Sequence, residues 1–209
     1  MAISRSLNSI CLAEHYWIIA DNKREIGSAR ALACRHPAPS PVGVSTFFVA
    51  VEGESEQSFL VWLQVLAQRE LHIHLDDVLL GGGGFKSMLE KAVKQHARGC
   101  KISGAYKDRF LIVDADRAQQ GDWSIERLKA EAAKHKFTVC VQSPNHEGLL
   151  LRMMPGMEHE IPDGASSETK LKSRWPNYQK PVNAYALGRQ FSVMTSCGLL
   201  ALTRIWDTF

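Results

Sequence analysis

Two groups of acidic residues could bind a metal ion together. Glu52, Glu54 and Glu56 follow one apolar run, and Asp114 and Asp116 end another run further along the chain. Crowded carboxylates repel one another unless a cation lies between them, and oxygen-only ligands favour a hard cation such as Mg²⁺ or Mn²⁺. One or two such ions can activate water and stabilise the leaving oxygen of a phosphodiester. The alternative is that these acids only cap the helices that follow.

The segments around these acids predict a layered α/β fold. The four predicted strands cover 46–51, 71–80, 109–116 and 137–142, and the three predicted helices cover roughly 55–69, 85–96 and 124–135. Continuous apolar runs are typical of strands buried on both faces of a parallel sheet, and the alternation implies right-handed crossovers. Functional groups of such a sheet lie at the carboxyl ends of its strands. Side chains alternate along a strand, so Asp114 and Asp116 are expected to point to the same side.

The regular pattern is confined to the middle of the chain. Residues 1–44 are interpreted as an N-terminal extension, which ends in a stretch with three prolines between Pro37 and Pro41. Residues 45–153 are predicted to form the α/β domain. Residues 154–209 are predicted to be a C-terminal loop and helix packing on that domain, with the helix over 182–206.

Amino-acid composition limits the predicted cellular location more than it limits the predicted function. A formal net charge of +3 neither demands nor excludes nucleic acid as a ligand. The five cysteines include no Cys-x-x-Cys pair, and Cys140 is expected to be a buried free thiol, so a reducing, cytoplasmic location is predicted. No stretch of 18 apolar residues and no signal peptide is apparent, so no membrane association is expected.

The two acidic motifs together resemble those of the TOPRIM domain, which topoisomerases, bacterial primases and OLD-family nucleases share. That domain has a Glu-Gly turn with a second acid four residues after the first, matched by Glu52 and Glu56, and an Asp-x-Asp after a later strand, matched by Asp114 and Asp116. The resemblance implies a TOPRIM, Rossmann-like domain with a mostly parallel four-stranded sheet over 45–153. It further implies a site for one or two Mg²⁺ or Mn²⁺ ions, with Glu52 as a possible general acid or base.

Within that family the chain is most similar to the small RloB-like group. The chain shares with that group a Glu-Gly-Glu turn followed by a further glutamate, here Glu52 to Glu56, the glycine-rich connection at 81–84 and the overall length. The group carries Pro-Cys-Phe-Glu-Leu-Trp-Leu-Leu after the fourth strand. In the corresponding stretch from Pro144 to Leu151, this chain keeps Glu147 and the leucines but lacks the cysteine and the aromatic residues. The resemblance implies Glu147 as a further metal or positioning ligand; a helix-capping glutamate is the alternative. It also implies a separately encoded ATPase partner and a role in anti-phage defence.

Basic residues supply candidate contacts to nucleic acid. Lys180 lies where related nucleases carry a lysine, and near a phosphate it would offset charge in the transition state. The predicted nucleic-acid-binding residues are Lys86, Lys170, Lys172 and Arg174, the last three interleaved with the aromatic residues Trp175 and Tyr178. A solvated polar loop explains the latter group equally well. His146 could contact a phosphate or act as a base, but an exposed neutral histidine is favoured.

The sequence therefore predicts a metal-dependent nuclease that hydrolyses phosphodiester bonds in DNA or RNA. Its predicted catalytic residues are Glu52, Asp114, Asp116 and Lys180, and its predicted metal ligands are Glu52, Glu56, Asp114, Asp116 and Glu147. The competing hypothesis is a non-catalytic TOPRIM-fold subunit that binds nucleic acid or serves assembly, including a possible homo-oligomer. A haloacid-dehalogenase-type phosphatase is disfavoured, because its Asp-x-Asp motif belongs to the first strand and is followed by Thr or Val where this chain has Ala118.

Overall fold

A computed structural model describes residues 45–191, apart from residues 72, 120 and 122. The predictions for residues 1–44 and for the helix beyond residue 191 lie outside these described residues. The strands are β1 Ser45–Val51, β2 Ile73–Leu79, β3 Arg109–Asp114 and β4 Thr138–Gln142. The helices are α1 Glu54–Leu71, α2 Phe85–Ser103, α3 Ile125–Lys134, α4 His146–Arg152, α5 Gly164–Arg174 and α6 Ala184–Gln190, with a 3₁₀ turn at Ala115–Gln119.

The four strands form one parallel sheet in the order β2-β1-β3-β4. Val51 at the end of β1 is in register with Leu79 of β2 and Ile112 of β3, and Asp114 of β3 is in register with Gln142 of β4. The carboxyl ends of the strands therefore meet at one edge, where parallel sheets place their functional groups. The predicted α/β class and parallel sheet are confirmed.

The central strands β1 and β3 contribute buried side chains to both faces of the sheet, since successive side chains point to opposite sides. Phe48 and Ala50 pack with Leu111 on one face, in a cluster that includes residues of α2 and α3. Val49 and Val51 pack on the other face, in a cluster that includes residues of α1, α4, α5 and α6. The continuous apolar runs in the sequence thus correspond to strands covered by helices on both sides.

Two elements differ from the sequence-based prediction. β3 ends at Asp114, so Asp116 belongs to the 3₁₀ turn that follows and its direction is not set by strand alternation. The segment predicted as a polar loop contains α5, which has few apolar residues but begins at a cap where Asp163 accepts a hydrogen bond from the Ser166 backbone N–H at 2.8 Å. Leu171 anchors this helix in the core.

Two further observations concern membrane-spanning helices and the thiol of Cys140. Within the described residues, no helix combines the length and the apolar character that crossing a bilayer requires. Cys140 is a free thiol on β4 that retains partial exposure. Burial raises the pKa of this thiol to about 11, so it is not poised to act as a thiolate nucleophile.

Candidate functional site

Five carboxylates gather at the carboxyl edge of the sheet. Glu52 directly follows β1, Asp114 ends β3, and Glu147 lies in the first turn of the helix after β4. Burial, followed by the negative charges of the neighbouring acids, raises the pKa of Asp114 to about 9; these acids are Glu56, Glu52, Asp116 and Glu147. All four predicted partners of Asp114 are therefore close enough to repel its ionised form.

Two of these acids carry buried oxygens that the described residues do not satisfy. Asp114 Oδ1 and Glu52 Oε2 are inaccessible to solvent and have no hydrogen-bond donor among the described residues. Buried polar atoms in folded proteins are nearly always paired, because an unpaired one costs free energy. Unpaired carboxylate oxygens beside further carboxylates are the type of donor that a hard divalent cation prefers.

Glu52 is held by an arginine that the sequence analysis did not single out. Glu52 is almost fully buried, and its Oε1 lies 2.6 Å from Nη2 of Arg117, whose side chain is partly exposed. Burial raises the pKa of the Glu52 carboxyl, whereas the Arg117 guanidinium acts in the opposite direction. Arg117 immediately follows Asp116, and a cation directly after an Asp-x-Asp motif is the signal that would have indicated it.

A glycine makes room for Glu56. A Cβ atom on Gly53 would lie 2.7 Å from Oε2 of Glu56, which is closer than such contacts permit. Glu56 is buried in the first turn of α1, whereas Glu54 of the same turn is exposed. The helix-capping alternative thus suits Glu54 better than Glu56, whose carboxylate folds back toward the turn after β1.

Asp116 is fixed by the loop after β4. The Asn145 side-chain amide donates to Asp116 Oδ2 at 3.2 Å and to the Gly164 carbonyl at 3.1 Å, while its Oδ1 accepts from the Gly148 N–H at 3.1 Å. The Asp116 backbone N–H also donates to the Pro144 carbonyl at 2.9 Å. The 3₁₀ turn therefore brings Asp116 to the site, a function that the sequence analysis assigned to strand geometry.

Glu147 is held in its ionised form by two residues from the C-terminal part of the chain. Its Oε1 accepts a hydrogen bond from the Tyr178 hydroxyl at 2.9 Å and lies 2.8 Å from Lys180 Nζ. Burial acts to raise the pKa of Glu147, but Lys180 and Tyr178 together hold it below its usual range. The structure thus places Lys180 at the acidic cluster, with a side chain that remains half-exposed.

His146 is part of the core, so the expectation that it is exposed is wrong. Its side chain is 1% exposed, and its ring lies edge-on to Phe59 with the centroids 5.6 Å apart. Its Nδ1 lies 3.2 Å from Gln142 Nε2, and its Nε2 is buried without a partner among the described residues. Burial lowers the pKa of this imidazole, which keeps it neutral.

The glycine-rich connection after β2 borders the site through its backbone. The N–H groups of Gly81 and Gly82 both donate to the Glu52 carbonyl at 3.2 Å. Both residues have a φ of 71°, in a region that residues other than glycine rarely adopt. The loop thus fixes the backbone of Glu52, which is a structural function.

The predicted nucleic-acid-binding residues lie on helix surfaces. Lys170, Lys172 and Arg174 are exposed on α5, and Lys86 is exposed in the first turn of α2. Lys170 and Lys172 each form an ion pair with a glutamate, at 3.4 and 2.6 Å. Exposed pairs of this kind contribute little free energy, so both ammonium groups could exchange a glutamate for a phosphate.

The aromatic residues of that segment do not take part in such a surface. Trp175 and Tyr178 are buried, and their ring centroids lie 5.3 Å apart. Trp175 also packs against Phe191 in the core. The interpretation of these two rings as stacking platforms for bases is wrong, since neither face is open to a ligand.

The side chains of the site do not by themselves form a completed metal cage. Within the part of the chain that the structure describes, no group of three or more His, Cys, Asp or Glu side chains is arranged to hold a metal ion. Two of the five carboxylates instead face cationic side chains, Glu52 facing Arg117 and Glu147 facing Lys180. An ion bound here would draw these acids closer together and compete with both pairs.

Comparison with known proteins does not extend this description. No family model, no curated protein and no solved structure matches the chain. The function is therefore argued from the geometry and chemistry of the acidic edge.

Proposed function

We propose that the protein is a Mg²⁺- or Mn²⁺-dependent nuclease of the TOPRIM type that hydrolyses phosphodiester bonds in DNA or RNA. The observation that carries this proposal is the environment of Asp114. Its Oδ1 is buried and lacks a donor among the described residues, and four further carboxylates act on its charge. A purely structural domain gains nothing from such repulsion, whereas a divalent cation would turn it into attraction.

The metal ligands in this proposal are Glu52, Glu56, Asp114, Asp116 and Glu147. When bound, Mg²⁺ or Mn²⁺ would supply the positive charge that activates a water molecule and stabilises the leaving oxygen. The glycine at position 53 lets Glu56 approach, and Asn145 orients Asp116. These neighbours hold the carboxylates in place, which is how outer residues of metal sites act on the ligands.

Lys180 would be the residue that meets the substrate's phosphate. Its ammonium lies 2.8 Å from Glu147 Oε1, yet more than half of its side chain is exposed. The carboxylates Glu147, Glu56 and Asp114 raise the pKa of Lys180 against the opposing effect of burial, so it stays charged at neutral pH. A charged lysine at this place can stabilise negative charge that develops on a phosphate oxygen.

A cytoplasmic defence role with a separately encoded ATPase is part of the same proposal. It is supported only by the resemblance of the motifs at Glu52–Glu56 and Asp114–Asp116 to the RloB-like and OLD-related group. Fold and motif analogy is a weaker support than site geometry. Co-purification of an ATPase with the tagged chain from its native host tests this part separately.

A non-catalytic TOPRIM-fold subunit is the second candidate function. It is favoured by the two ion pairs, Glu52 with Arg117 and Glu147 with Lys180, which neutralise the cluster in part without a metal. In that case the acids would stabilise the loop after β3 and the C-terminal segment, and nucleic acid would bind elsewhere.

A cleavage assay separates the two candidates. Supercoiled plasmid, single-stranded DNA and a tRNA pool are incubated with the wild type, Glu52→Gln and Asp116→Asn in Mg²⁺ or Mn²⁺. The matched control is Glu54→Gln, which removes an exposed carboxylate from the same turn. The nuclease proposal expects cleavage by the wild type and the control and its loss in both site variants. Cleavage that persists in both site variants would contradict it.

A further inference from the structure

A cavity lies at the opposite edge of the sheet from the carboxylates. It has a volume of about 370 Å³, and its lining includes Arg109 at the start of β3 and Phe137 just before β4. β3 runs from Arg109 to Asp114, and at a rise of roughly 3.3 Å per residue the two ends lie roughly 17 Å apart. The cavity is therefore separate from the acidic site.

Positive charge dominates the lining of this cavity. Arg109, Lys134 and Lys136 line it together with the imidazoles of His96 and His135, and no aspartate or glutamate is among its described lining residues. Lys134 forms an exposed ion pair with Glu131, 2.7 Å long, on its own helix. Exposed pairs are weak, so this carboxylate does not cancel the local excess of cations.

The carbonyl groups at the end of α3 do not offset these cations. The Lys136 and Phe137 N–H groups donate to the carbonyls of Ala133 and Ala132, which closes the helix in a Schellman arrangement. Arg109 Nη1 donates to the His135 carbonyl at 2.9 Å, which uses one of the five N–H donors of a guanidinium. The carbonyls of Ala132, Ala133 and His135 are thus engaged, and Arg109 is held at the cavity wall.

The backbone of Lys136 gives a second, independent indication of a binding role. Its φ is 58°, and it is the one non-glycine residue with a positive φ among the described residues. The position after a helix that ends in this way is usually glycine, because a Cβ is disfavoured there. A lysine at this position lowers the stability of the fold but adds a positive charge to the cavity. Strained residues of this kind concentrate at functional sites.

We propose that this basic cavity binds a phosphate group of a nucleotide or of a nucleic-acid strand. Arg109 can present paired N–H donors to phosphate oxygens, and Lys134 and Lys136 add two further positive charges. The rings of His96 and Phe137, which lie edge-on to each other with their centroids 5.9 Å apart, close the inner wall of the cavity behind these cations. The site needs no metal, so it does not depend on the proposed nuclease activity.

Lys136→Gly tests this proposal without the ambiguity of a damaged fold. Glycine relieves the positive φ, so Tm is expected to rise by about 1–4 °C while the cavity loses one cation. A labelled mononucleoside diphosphate and a labelled 12-nucleotide single-stranded DNA serve as probes, both in EDTA. The dissociation constant is expected to rise about threefold in Lys136→Gly and about tenfold in the double variant Lys134→Gln/Lys136→Gly.

The control is Lys94→Gln, which removes an exposed charge from α2 at a residue that does not line the cavity. Weaker binding of the mononucleotide supports a free nucleotide as the ligand. Weaker binding of the oligonucleotide alone, with a salt slope reduced by about 0.7 per lost phosphate contact, supports a nucleic-acid strand. Failure of the wild type to bind either probe at low salt, or equal affinities in all variants, overturns the proposal.

Discussion

Asp114→Asn should stabilise the metal-free protein at alkaline pH, because Asp114 is crowded by other carboxylates. The pKa of Asp114 rises from an ordinary value of 3.8 to about 9, first through burial and then through Glu56, Glu52, Asp116 and Glu147. The folded protein therefore keeps a proton on this carboxyl across a pH range in which the unfolded chain has released it. The stability associated with that proton is complete below about pH 4 and is lost as the pH rises toward about 9.

The size of the effect follows from proton linkage. One extra proton in the folded state lowers the free energy of unfolding by about 1.4 kcal/mol per pH unit. Between pH 6 and pH 8 the wild type should lose about 2.7 kcal/mol through this group, which corresponds to a fall in Tm of roughly 5–10 °C for a chain of this size. Asparagine has nearly the same shape and cannot ionise, so its curve should lack this component.

The assay is thermal or urea unfolding of both proteins in EDTA over pH 5–9. The difference between the two curves removes the contributions of other titrating groups, such as the buried His146, that both proteins share. Saturating Mg²⁺ should flatten the wild-type curve, because a bound cation favours the ionised carboxylate. Parallel curves for the wild type and Asp114→Asn in EDTA would refute the argument that Asp114 is crowded and protonated.

Three further substitutions probe the residues around the site. Gly53→Ala should leave Tm nearly unchanged but weaken Mn²⁺ binding about tenfold, measured by calorimetry, because the new Cβ would displace the flexible carboxylate of Glu56; unchanged affinity would contradict this. Gly148→Ala should lower the free energy of unfolding by about 1–3 kcal/mol in urea, since its Cβ would lie 2.6 Å from the ring of a proline. An unfolding midpoint equal to that of the wild type would contradict this, because it would mean that the proline moves aside without cost. Tyr178→Phe should cost about 1–3 kcal/mol at neutral pH through the lost hydrogen bond to Glu147, and a pH-independent loss down to pH 3 would speak against that cause.

The sheet and its helices could be predicted from the sequence because their signals are local. The run from Phe48 to Val51 is fully apolar and buried on both faces, and the acids after β1 and β3 reach the same edge because the strands are parallel. α5 escaped prediction because its stability depends on an N-cap and on tertiary burial of Leu171, with little apolar periodicity of its own.

The electrostatic partners of the site could not be predicted in the same way. Lys180 was singled out only through a family resemblance, and its contact with Glu147 spans a long separation in sequence. The aromatic side chains of Trp175 and Tyr178 suit either a core or a binding surface. Only the packing of the C-terminal segment decides between these two locations. The sequence places Arg117 directly after the Asp-x-Asp motif, but it does not show which carboxylate this flexible cation reaches.

The most direct test of the central claim is a Mn²⁺ titration followed by electron paramagnetic resonance. The wild type, Asp114→Ala and the exposed-site control Glu54→Gln are titrated at a fixed protein concentration, and free Mn²⁺ is read from its signal. We expect saturable binding of one or two ions by the wild type and the control, and its loss in Asp114→Ala. No saturable binding by the wild type, or equal binding by Asp114→Ala, would contradict the assignment of the acidic edge as a metal site.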